Sequence, residues 1–525
     1  MSRVRLNEDN RRWWTLGAMC FALFMIMLDN TVVNVALPSI QRDLDASISS
    51  LEWTINAYTL TFAVLLVTGG RLGDIFGRRG MFLFGVVVFA VSSAAIGLSP
   101  DQGWLVAGRA AQGIGAAFMM PGTLSIITNA FPAEERGKAI GTWAGVSALA
   151  LAIGPVVGGA LTEHVSWRAI FFINLPVAVG AVLVTLFATR ESRDETVART
   201  VDIPGIAALS VGLTSLVLAL VEGNAWGWGS PEIIGLLAAS VVGLVGFAVI
   251  ERRVRAPMID IEQLRSSTFL GANLVGFVIS FAMLAVFFFV ALYMQNLLGY
   301  SPLEAGIRFL PATAVIIVTA PIAGRLADKC GPRPLIVAGL TLLSVSLFIQ
   351  THISTMSGYG LLLPAFMIMG LGIGLTMSPM STAAMNAVAP EKAGAASGVL
   401  SMSRMIGGTF GIAVLGALFQ SLASSRLEER LAGLPVSAGQ RDSMVDNLAS
   451  GGGAAVKGLD PSLARQVSAA GRDAFLYALS HGMFLSVGVA IAGIAIAALL
   501  IRPAGSRAAE GSRRHAGEAA AEAAA

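Results

Sequence analysis

Long apolar stretches alternate with short polar and charged segments along almost the whole chain. Each stretch is about 18 residues or longer, enough to cross a hydrocarbon core about 30 Å thick as a helix. The predicted spans run approximately over 14–38, 51–70, 81–99, 104–126, 139–161, 168–189, 203–221, 231–250, 269–296, 304–324, 334–351, 359–382, 397–420 and 475–501. The pattern predicts an all-α, polytopic membrane protein. The first apolar run is followed by further spans, so it is interpreted as a transmembrane helix and not as a cleaved leader.

One charged loop occurs twice. It reads "GRLGDIFGRRG" from Gly70 and "GRLADKCGPRP" from Gly324, with the two copies 254 residues apart. This offset maps the second span onto the tenth, the fourth onto the twelfth and the fifth onto the thirteenth. We therefore predict two related six-helix bundles in the same orientation, with spans seven and eight inserted between them. Parallel repeats of this kind are typical of one large class of secondary transporters, in which the substrate binds between the halves.

The repeat and the spans together predict a domain organisation. It comprises an N-terminal segment 1–13, a first bundle 14–189, two inserted helices with linkers 190–268, a second bundle 269–501 and a tail 502–525. Within the second bundle, residues 421–474 are predicted to form a long, solvated outer loop. The stretch "SSRLEERLAGLP" in that loop could instead form an amphipathic helix.

Composition and charge agree with a membrane protein. Hydrophobic residues make up 55% of the chain and charged residues 13%, and the mean hydropathy is +0.74. Arginines and lysines concentrate in alternate loops, which by the positive-inside rule places both termini in the cytoplasm. The net charge of +3 is therefore accounted for by topology and indicates no nucleic-acid partner. The two cysteines indicate no disulfide framework.

The repeated loop is a candidate conformational latch on the cytoplasmic face. Its glycines permit close helix approach and turn conformations, and Asp74 can accept hydrogen bonds from a helix N-terminus or pair with an arginine. The alternative is a simple positively charged anchor at the membrane surface. The proposed latch residues are Gly70, Gly73, Asp74, Gly77 and Arg78 in the first loop, and Gly324, Asp328, Gly331 and Arg333 in the second.

Several segments resemble those of a known family. "GRLGDIFGRR" resembles the loop signature of the major facilitator superfamily, and "LDNTVVNVALPSI", "GRAAQGIGAA" and "GPVVGG" resemble motifs of its drug:proton antiporters. "WRAIFFINLP" and "YMQNLLGYSPLEAG" are similar to segments of its fourteen-span bacterial multidrug exporters. The resemblance covers about residues 13–501. It implies the major facilitator fold, alternating access, and export of a hydrophobic or cationic drug in exchange for protons.

Two opposite charges lie inside predicted spans. Asp29 in the first span is about 13 Å from its outer end, and Arg109 in the fourth is about 8 Å from its own. Inserting a charged side chain near the bilayer centre costs about 2.5–3.5 kcal/mol, so such residues usually face the protein interior. We expect Asp29 to bind the coupling proton, because a conformational change that alters its burial or its distance from Arg109 alters its proton affinity. Thr31, Asn34 and Gln112 are candidate hydrogen-bond partners.

The alternative for this pair is a static buried ion pair that fixes helix register. The resemblance also implies proton coupling for the matching motif residues. At offsets of 254–259 residues the second half has no acid opposite Asp29 and no arginine opposite Arg109. Coupling is therefore expected in the first bundle. Two further acids, Glu52 and Glu222, are interpreted as exposed residues near the outer edge, or as vestibule acids that attract cations.

The stretch "IGPVVGG" in the fifth span predicts a kink that seals one side of the path. Gly154 and Gly158 have the spacing at which helix backbones touch, Pro155 removes a helix hydrogen bond, and Gly159 completes the motif. Ordinary small-residue packing is the alternative. In the resembled family this motif marks antiporters.

The substrate cavity is expected to be adaptable and apolar, as methionine and aromatic surfaces are. Its candidate residues are Phe281, Phe287, Met294 and Met377, together with Arg404 in the thirteenth span. Lipid and bundle packing explains the apolar residues equally well, and Arg404 could instead extend to the interface.

These observations predict a monomeric, proton-driven exporter of small amphipathic drugs in the bacterial cytoplasmic membrane. A dedicated exporter of one endogenous antibiotic, lipid or metabolite is the alternative. No nucleotide-binding G-x-x-x-x-G-K-[ST] loop and no H-E-x-x-H or G-x-S-x-G motif occurs, so neither an ATP-driven pump nor an enzyme is expected. No cofactor or metal is expected, since the proton gradient supplies the energy.

Overall fold

A computed structural model gives the architecture of most of the chain. It describes residues 8–193, 202–254, 257, 263, 265–354, 357–388, 393–437, 441, 444 and 460–502.

The described residues form fifteen α-helices. They are α1 Glu8–Leu44, α2 Ile48–Phe76, α3 Arg78–Gly97, α4 Gln102–Ala130, α5 Ala133–His164, α6 Ala169–Phe172, α7 Asn174–Ala188, α8 Ile203–Trp226, α9 Pro231–Glu251, α10 Ser267–Leu292, α11 Pro302–Cys330, α12 Pro332–Gln350, α13 Gly358–Asn386, α14 Ala393–Leu431 and α15 Pro461–Leu500. One π-helical turn, Tyr293–Leu297, extends α10.

The predicted all-α membrane fold is confirmed. Over the described part of the chain, thirteen helical segments are long and apolar enough to cross a membrane, with α6 and α7 counted as one segment. A further long helix, α5, has 32 residues. In the predicted organisation, α1–α7 correspond to the first bundle, α8 and α9 to the inserted pair, and α10–α15 to the second bundle.

The internal repeat is visible in the helix boundaries. Helices α2 and α3 begin at Ile48 and Arg78, and α11 and α12 begin 254 residues later at Pro302 and Pro332. The turn between each pair holds a glycine at positive φ, 120° at Gly77 and 81° at Gly331. Residues other than glycine are strained at such angles. The two charged loops therefore have corresponding places in the two bundles.

Helices at one end of the molecule extend further than the apolar spans. Helix α14 continues to Leu431 and α15 begins at Pro461, so both ends of the predicted loop 421–474 are helical. The two helices are joined by Arg426 and Arg430, whose Nε atoms lie 3.0 and 2.8 Å from Oδ2 of Asp473. Most of residues 438–459 and the tail beyond Arg502 lie outside the described residues.

The two most extensive contacts between the bundles are two helix pairs. In the pair α5–α11, a Cβ on Gly306 would overlap the carbonyl of Pro155, so the two backbones touch. In the pair α2–α14, Oγ1 of Thr59 lies 2.7 Å from Oγ1 of Thr409. We call the end that carries the α1–α2 loop (residues 45–47) the outer end, after the predicted orientation.

Candidate functional site

A buried network of charged and amide groups lies in the first bundle. It joins Asp29 of α1 to Arg109 and Gln112 of α4, and these residues are 1%, 1% and 0% exposed. The structure thus brings together the two predicted intramembrane charges and one of their three predicted partners.

Both carboxylate oxygens of Asp29 are occupied. Nη1 of Arg109 donates to Oδ2 at 2.6 Å, and Nε2 of Gln112 donates to Oδ1 at 3.0 Å. The same Nη1 atom also donates to Oε1 of Gln112 at 2.6 Å. The three side chains close a ring in which the ionised form of Asp29 has a donor at each oxygen. Such charge-assisted hydrogen bonds are short and strong.

Arg109 is held independently of Asp29. Its Nε donates to the carbonyl of Thr54 at 2.8 Å, and its guanidinium carbon lies 4.3 Å from the ring centroid of Tyr58. Both residues belong to α2. A cation over an aromatic face is stabilised by the ring quadrupole. The guanidinium would therefore keep contacts if Asp29 were neutralised.

Gln112 connects the ring to two more helices. Its Nε2 also donates to Oγ of Ser93 in α3 at 2.9 Å, and Nδ2 of Asn174 in α7 donates to the same oxygen at 3.3 Å. Sequence reasoning missed Ser93, Asn174 and Tyr58. The available signal was a polar side chain within an apolar span.

The other two predicted partners do not contact Asp29 in this structure. Oγ1 of Thr31 donates to the carbonyl of Leu28 at 3.2 Å, and Nδ2 of Asn34 donates to that of Asn30 at 3.0 Å. Both bonds stay within α1. On a helix, residues two and five positions from Asp29 point about 160° and 140° away from it.

The glycine motif of α5 packs directly behind this site. A Cβ on Gly154 would overlap the side chain of Thr31, and one on Gly158 would overlap the carbonyl of Val32. A Cβ on Gly159 would instead meet Pro302 and Leu303 of α11. Helix α5 remains continuous through Pro155. One face of the motif therefore contacts the helix that carries Asp29, and the other contacts the second bundle.

The first charged loop is stabilised by its own bundle and by the linker that follows it. Asp74 accepts from Nε of Arg78 at 2.9 Å, and the amide of Gly77 donates to the carbonyl of Gly73 at 3.0 Å. Gly70 packs on Pro121. Glu191, which sequence reasoning did not identify, accepts from the amides of Arg79 and Gly80 at 3.0 and 3.1 Å.

In the second loop, Gly324 packs against Ser378 and Arg333 is half-buried. The side chain of Asp328 lies outside what the structure describes. The latch role of both loops stays a prediction.

The predicted substrate residues lie mostly in packed helix contacts. Phe281, Phe287 and Met294 are 4%, 6% and 0% exposed, while Met377 and Arg404 are half-buried. Two described cavities, of about 300 and 610 Å³, are lined by other residues. Among the described residues, Nε of Arg404 has no hydrogen-bond partner.

Comparison with known proteins agrees with this architecture. Residues 19–412 match the profile of the family described as the Major Facilitator Superfamily. The chain is 38% identical over 411 residues to the tetracenomycin C resistance and export protein of Streptomyces glaucescens, covering 78% of this chain and 76% of that protein. It is 37% identical over 418 residues to the multidrug resistance protein Stp of Mycobacterium tuberculosis, covering 79% and 78%.

A solved structure shares the fold. It is a bacterial homologue of the human lysosomal transporter Spinster, in an inward-facing and unoccupied conformation. The TM-score is 0.62 at 17% identity, and the match covers 93% of this chain and 97% of that one.

Proposed function

The chain belongs to the major facilitator superfamily, and we propose that it is a proton-driven exporter of small amphipathic drugs that works by alternating access. The observation that carries this proposal is the buried ring of Asp29, Arg109 and Gln112. Proton uptake by Asp29 is the proposed coupling step, and outward movement of a hydrophobic or cationic drug is the coupled one.

The geometry of the ring supports coupling of the proton to a rearrangement. Each oxygen of Asp29 already accepts a hydrogen bond, so a proton on either oxygen displaces one donor. A proton on Oδ2 leaves Arg109 its contacts with the Thr54 carbonyl and the Tyr58 ring, whereas α1 keeps only the Gln112 hydrogen bond to α4. Protonation would thereby loosen one helix of the bundle and leave the cation in place.

Contacts with α5 give this loosening a route to the other bundle. Gly154 packs against the segment of α1 that holds Thr31, and Gly159 packs against the start of α11. A shift of α1 beside Asp29 would therefore act on the helix pair α5–α11 that joins the halves. Packed helix contacts are bistable and can convert a small shift into a rigid-body movement.

The proposed substrate class is inferred from the relatives to which this chain is similar. One is a resistance and export protein for tetracenomycin C and another a multidrug resistance protein, so a dedicated exporter of one antibiotic remains the second candidate. We propose that the chain acts as a monomer, without cofactor, in the bacterial cytoplasmic membrane with both termini in the cytoplasm. Substrate contacts with Phe281, Phe287, Met294, Met377 and Arg404 belong to the same proposal.

Purified protein in liposomes with an imposed pH gradient tests the coupling. Transport of ethidium, a lipophilic cation, and of tetracenomycin C is measured with and without the gradient. We expect Asp29→Asn to reduce gradient-driven transport to the level of empty liposomes, because the variant cannot bind and release a proton.

Asp43→Asn is the matched control. Asp43 lies on the same helix and pairs with Arg168, but its side chain is 46% exposed, so transport should persist. Undiminished gradient-driven transport by Asp29→Asn would refute the coupling role. Transport of tetracenomycin C but not of ethidium would favour the dedicated exporter.

A further inference from the structure

A second buried carboxylate lies where the two bundles meet, near the outer end. Glu52, in the first turns of α2, is 0% exposed, although the sequence suggested an exposed position. Its Oε1 accepts one long hydrogen bond, 3.4 Å from Nε2 of Gln420 in α14. Within the described residues, Oε2 is buried and has no hydrogen-bond partner.

The carboxylate packs directly against the backbone of the second bundle. A Cβ on Gly416 of α14 would overlap the carboxyl group of Glu52. One turn further along α2, both amide atoms of Asn56 are buried and lack partners among the described residues. After another turn, Thr59 contacts Thr409. One face of α2 therefore places a row of polar side chains on α14.

The charged groups around Glu52 do not compensate an ionised carboxylate. From α8, Glu222 acts on it with the same sign of charge, and Glu222 itself accepts from Oγ of Ser49 at 2.7 Å and Nε1 of Trp53 at 3.2 Å. From α14, Gly416 and Gln420 are neutral. The next charged residue of α14 toward the outer end, Arg426, pairs with Asp473.

We propose that Glu52 is a second proton-binding site, which holds a proton when the outer ends of the bundles are closed. Burying a carboxylate without a counter-charge is strongly unfavourable, whereas the neutral acid is tolerated. The closed contact between α2 and α14 therefore selects the protonated acid. Deprotonation of Glu52 favours separation of the two helices, which restores water to the carboxylate.

The proton comes from the solution at the outer end. Separation of α2 from α14 exposes Glu52, Oε2 takes up the proton, and closure then traps it. Glu222 lines a separate open groove of about 610 Å³ between α2, α4 and α8. The proposal rests on the alternating access of the proposed function, but its site and its proton are distinct from those of Asp29.

The test measures the outer contact itself and does not require transport. Spin labels are placed at Pro100→Cys and Gly360→Cys, after Cys20→Ala and Cys330→Ser. Pro100 is exposed just before α4, and Gly360 is exposed in the first turn of α13. Distances are recorded by electron–electron double resonance in lipid nanodiscs between pH values of about 5.5 and about 8, a range in which shifted carboxyl groups can titrate. We expect the short-distance population to grow several-fold as the pH falls.

Glu52→Gln should keep the short distance at both pH values, because the amide imitates the neutral acid. Glu222→Gln should move the midpoint of the pH-dependent distance change to lower pH, because the substitution removes a like charge from beside Glu52. This second variant tests the proposal even if Glu52→Gln folds poorly. Glu232→Gln, an exposed acid at the start of α9, is the matched control and should behave as the parent protein does.

Two results would overturn the proposal. One is a distance distribution that does not change with pH in the parent protein; the other is an unchanged pH response in both Glu52→Gln and Glu222→Gln. Asp29→Asn separates this proposal from the proposed function. If that variant loses transport but keeps the pH-dependent distances, both stand; if it keeps transport as well, only the Asp29 coupling fails.

Discussion

The two bundles share a helix repeat but have different cores. In the first bundle, Asp29, Arg109 and Gln112 form a buried ring of hydrogen bonds. In the second, the ring of Phe309 lies 5.1 Å from that of Phe287 and 5.2 Å from that of Phe366. At repeat offsets of 254–256 residues, Gln112 corresponds to residues 366–368, which are apolar.

This difference separates two tasks that a rocking transporter must perform. A charged ring can exist in two protonation states and so can switch, at the cost of desolvating its ions. An aromatic core has one protonation state and supplies packing energy, with about 0.5–1.5 kcal/mol from each aromatic pair beyond burial. The comparison predicts that substitutions in the first core alter coupling and that those in the second alter stability without altering coupling.

Arg109→Gln should give the largest effect. It leaves Asp29 buried without its cation, and breaking a buried pair in this way costs about 3–5 kcal/mol. We expect a large fall in the thermal unfolding midpoint in detergent and loss of gradient-driven transport.

The double variant Asp29→Asn with Arg109→Gln supplies the control. It removes both charges, so we expect it to regain most of the midpoint without regaining transport. If the double variant is no more stable than Arg109→Gln, then the unpaired charge is not the cause of the loss.

Phe309→Leu should have the next largest effect. It removes two aromatic contacts from the second core, and we expect the free energy of unfolding to fall by about 1–3 kcal/mol. The dependence of transport on the pH gradient should stay unchanged. A changed pH dependence would break the comparison, because it would place part of the coupling in the second bundle.

The sequence was sufficient to predict the parts of the site that stand out against an apolar background. Asp29 and Arg109 are charges inside long apolar spans, and their similar depths predicted that they meet. The carbonyl of Thr54 could not be predicted, because every residue has one. Ser93 and Tyr58 could not be assigned either, since their contact with the site depends on how α2 and α3 pack against α4.

The incorrect expectations have equally specific causes. Thr31 and Asn34 are near Asp29 in sequence but point to other faces of α1. Glu52 lies within the first turns of its span, where exposure is expected, and its burial by Gly416 and Gln420 depends on the packing of α14. Residues 421–431 were predicted as part of a solvated loop, with an amphipathic helix as the alternative. The structure has the helix as far as Leu431, because helix formation does not stop at the membrane surface and Leu427 and Leu431 are buried there.

A pair of serines sharpens the comparison at smaller magnitude. Ser93 accepts from Gln112 in the first bundle, and Ser346 donates to the carbonyl of Ala365 at 2.6 Å in the second. Both are fully buried. Each Ser→Ala change should lower the free energy of unfolding by about 1 kcal/mol, which is the usual net contribution of a hydrogen bond.

The two serine variants should differ in transport. Ser93→Ala frees one N–H group of Gln112 and so disturbs the ring around Asp29, which should shift the pH dependence of transport. Ser346→Ala should leave that dependence as it is. Equal shifts in both variants, measured at matched stability, would contradict the assignment of coupling to the first core.

The smallest expected effect concerns the two repeated loops. Helix α3 begins with Arg78, Arg79 and Gly80, whose three amide groups need acceptors outside the helix. The carbonyl of Ser192 accepts from the amide of Arg78, and the carboxylate of Glu191 accepts from the amides of Arg79 and Gly80. Helix α12 begins with Pro332, Arg333 and Pro334, and its two prolines have no N–H group to satisfy. The second loop therefore needs no equivalent of Glu191.

Glu191→Ala should destabilise the first turn of α3 by about 0.3–1 kcal/mol, the usual worth of an acidic group at a helix N-terminus. Hydrogen exchange should become faster at residues 79–81 and stay unchanged at residues 333 and 335. Glu232→Ala, which removes an exposed acid from the first turn of α9, controls for the loss of charge. Faster exchange in both repeated loops would mean that Glu191 stabilises the inner end of the whole protein, and the two loops would then have to be treated as one mechanical unit.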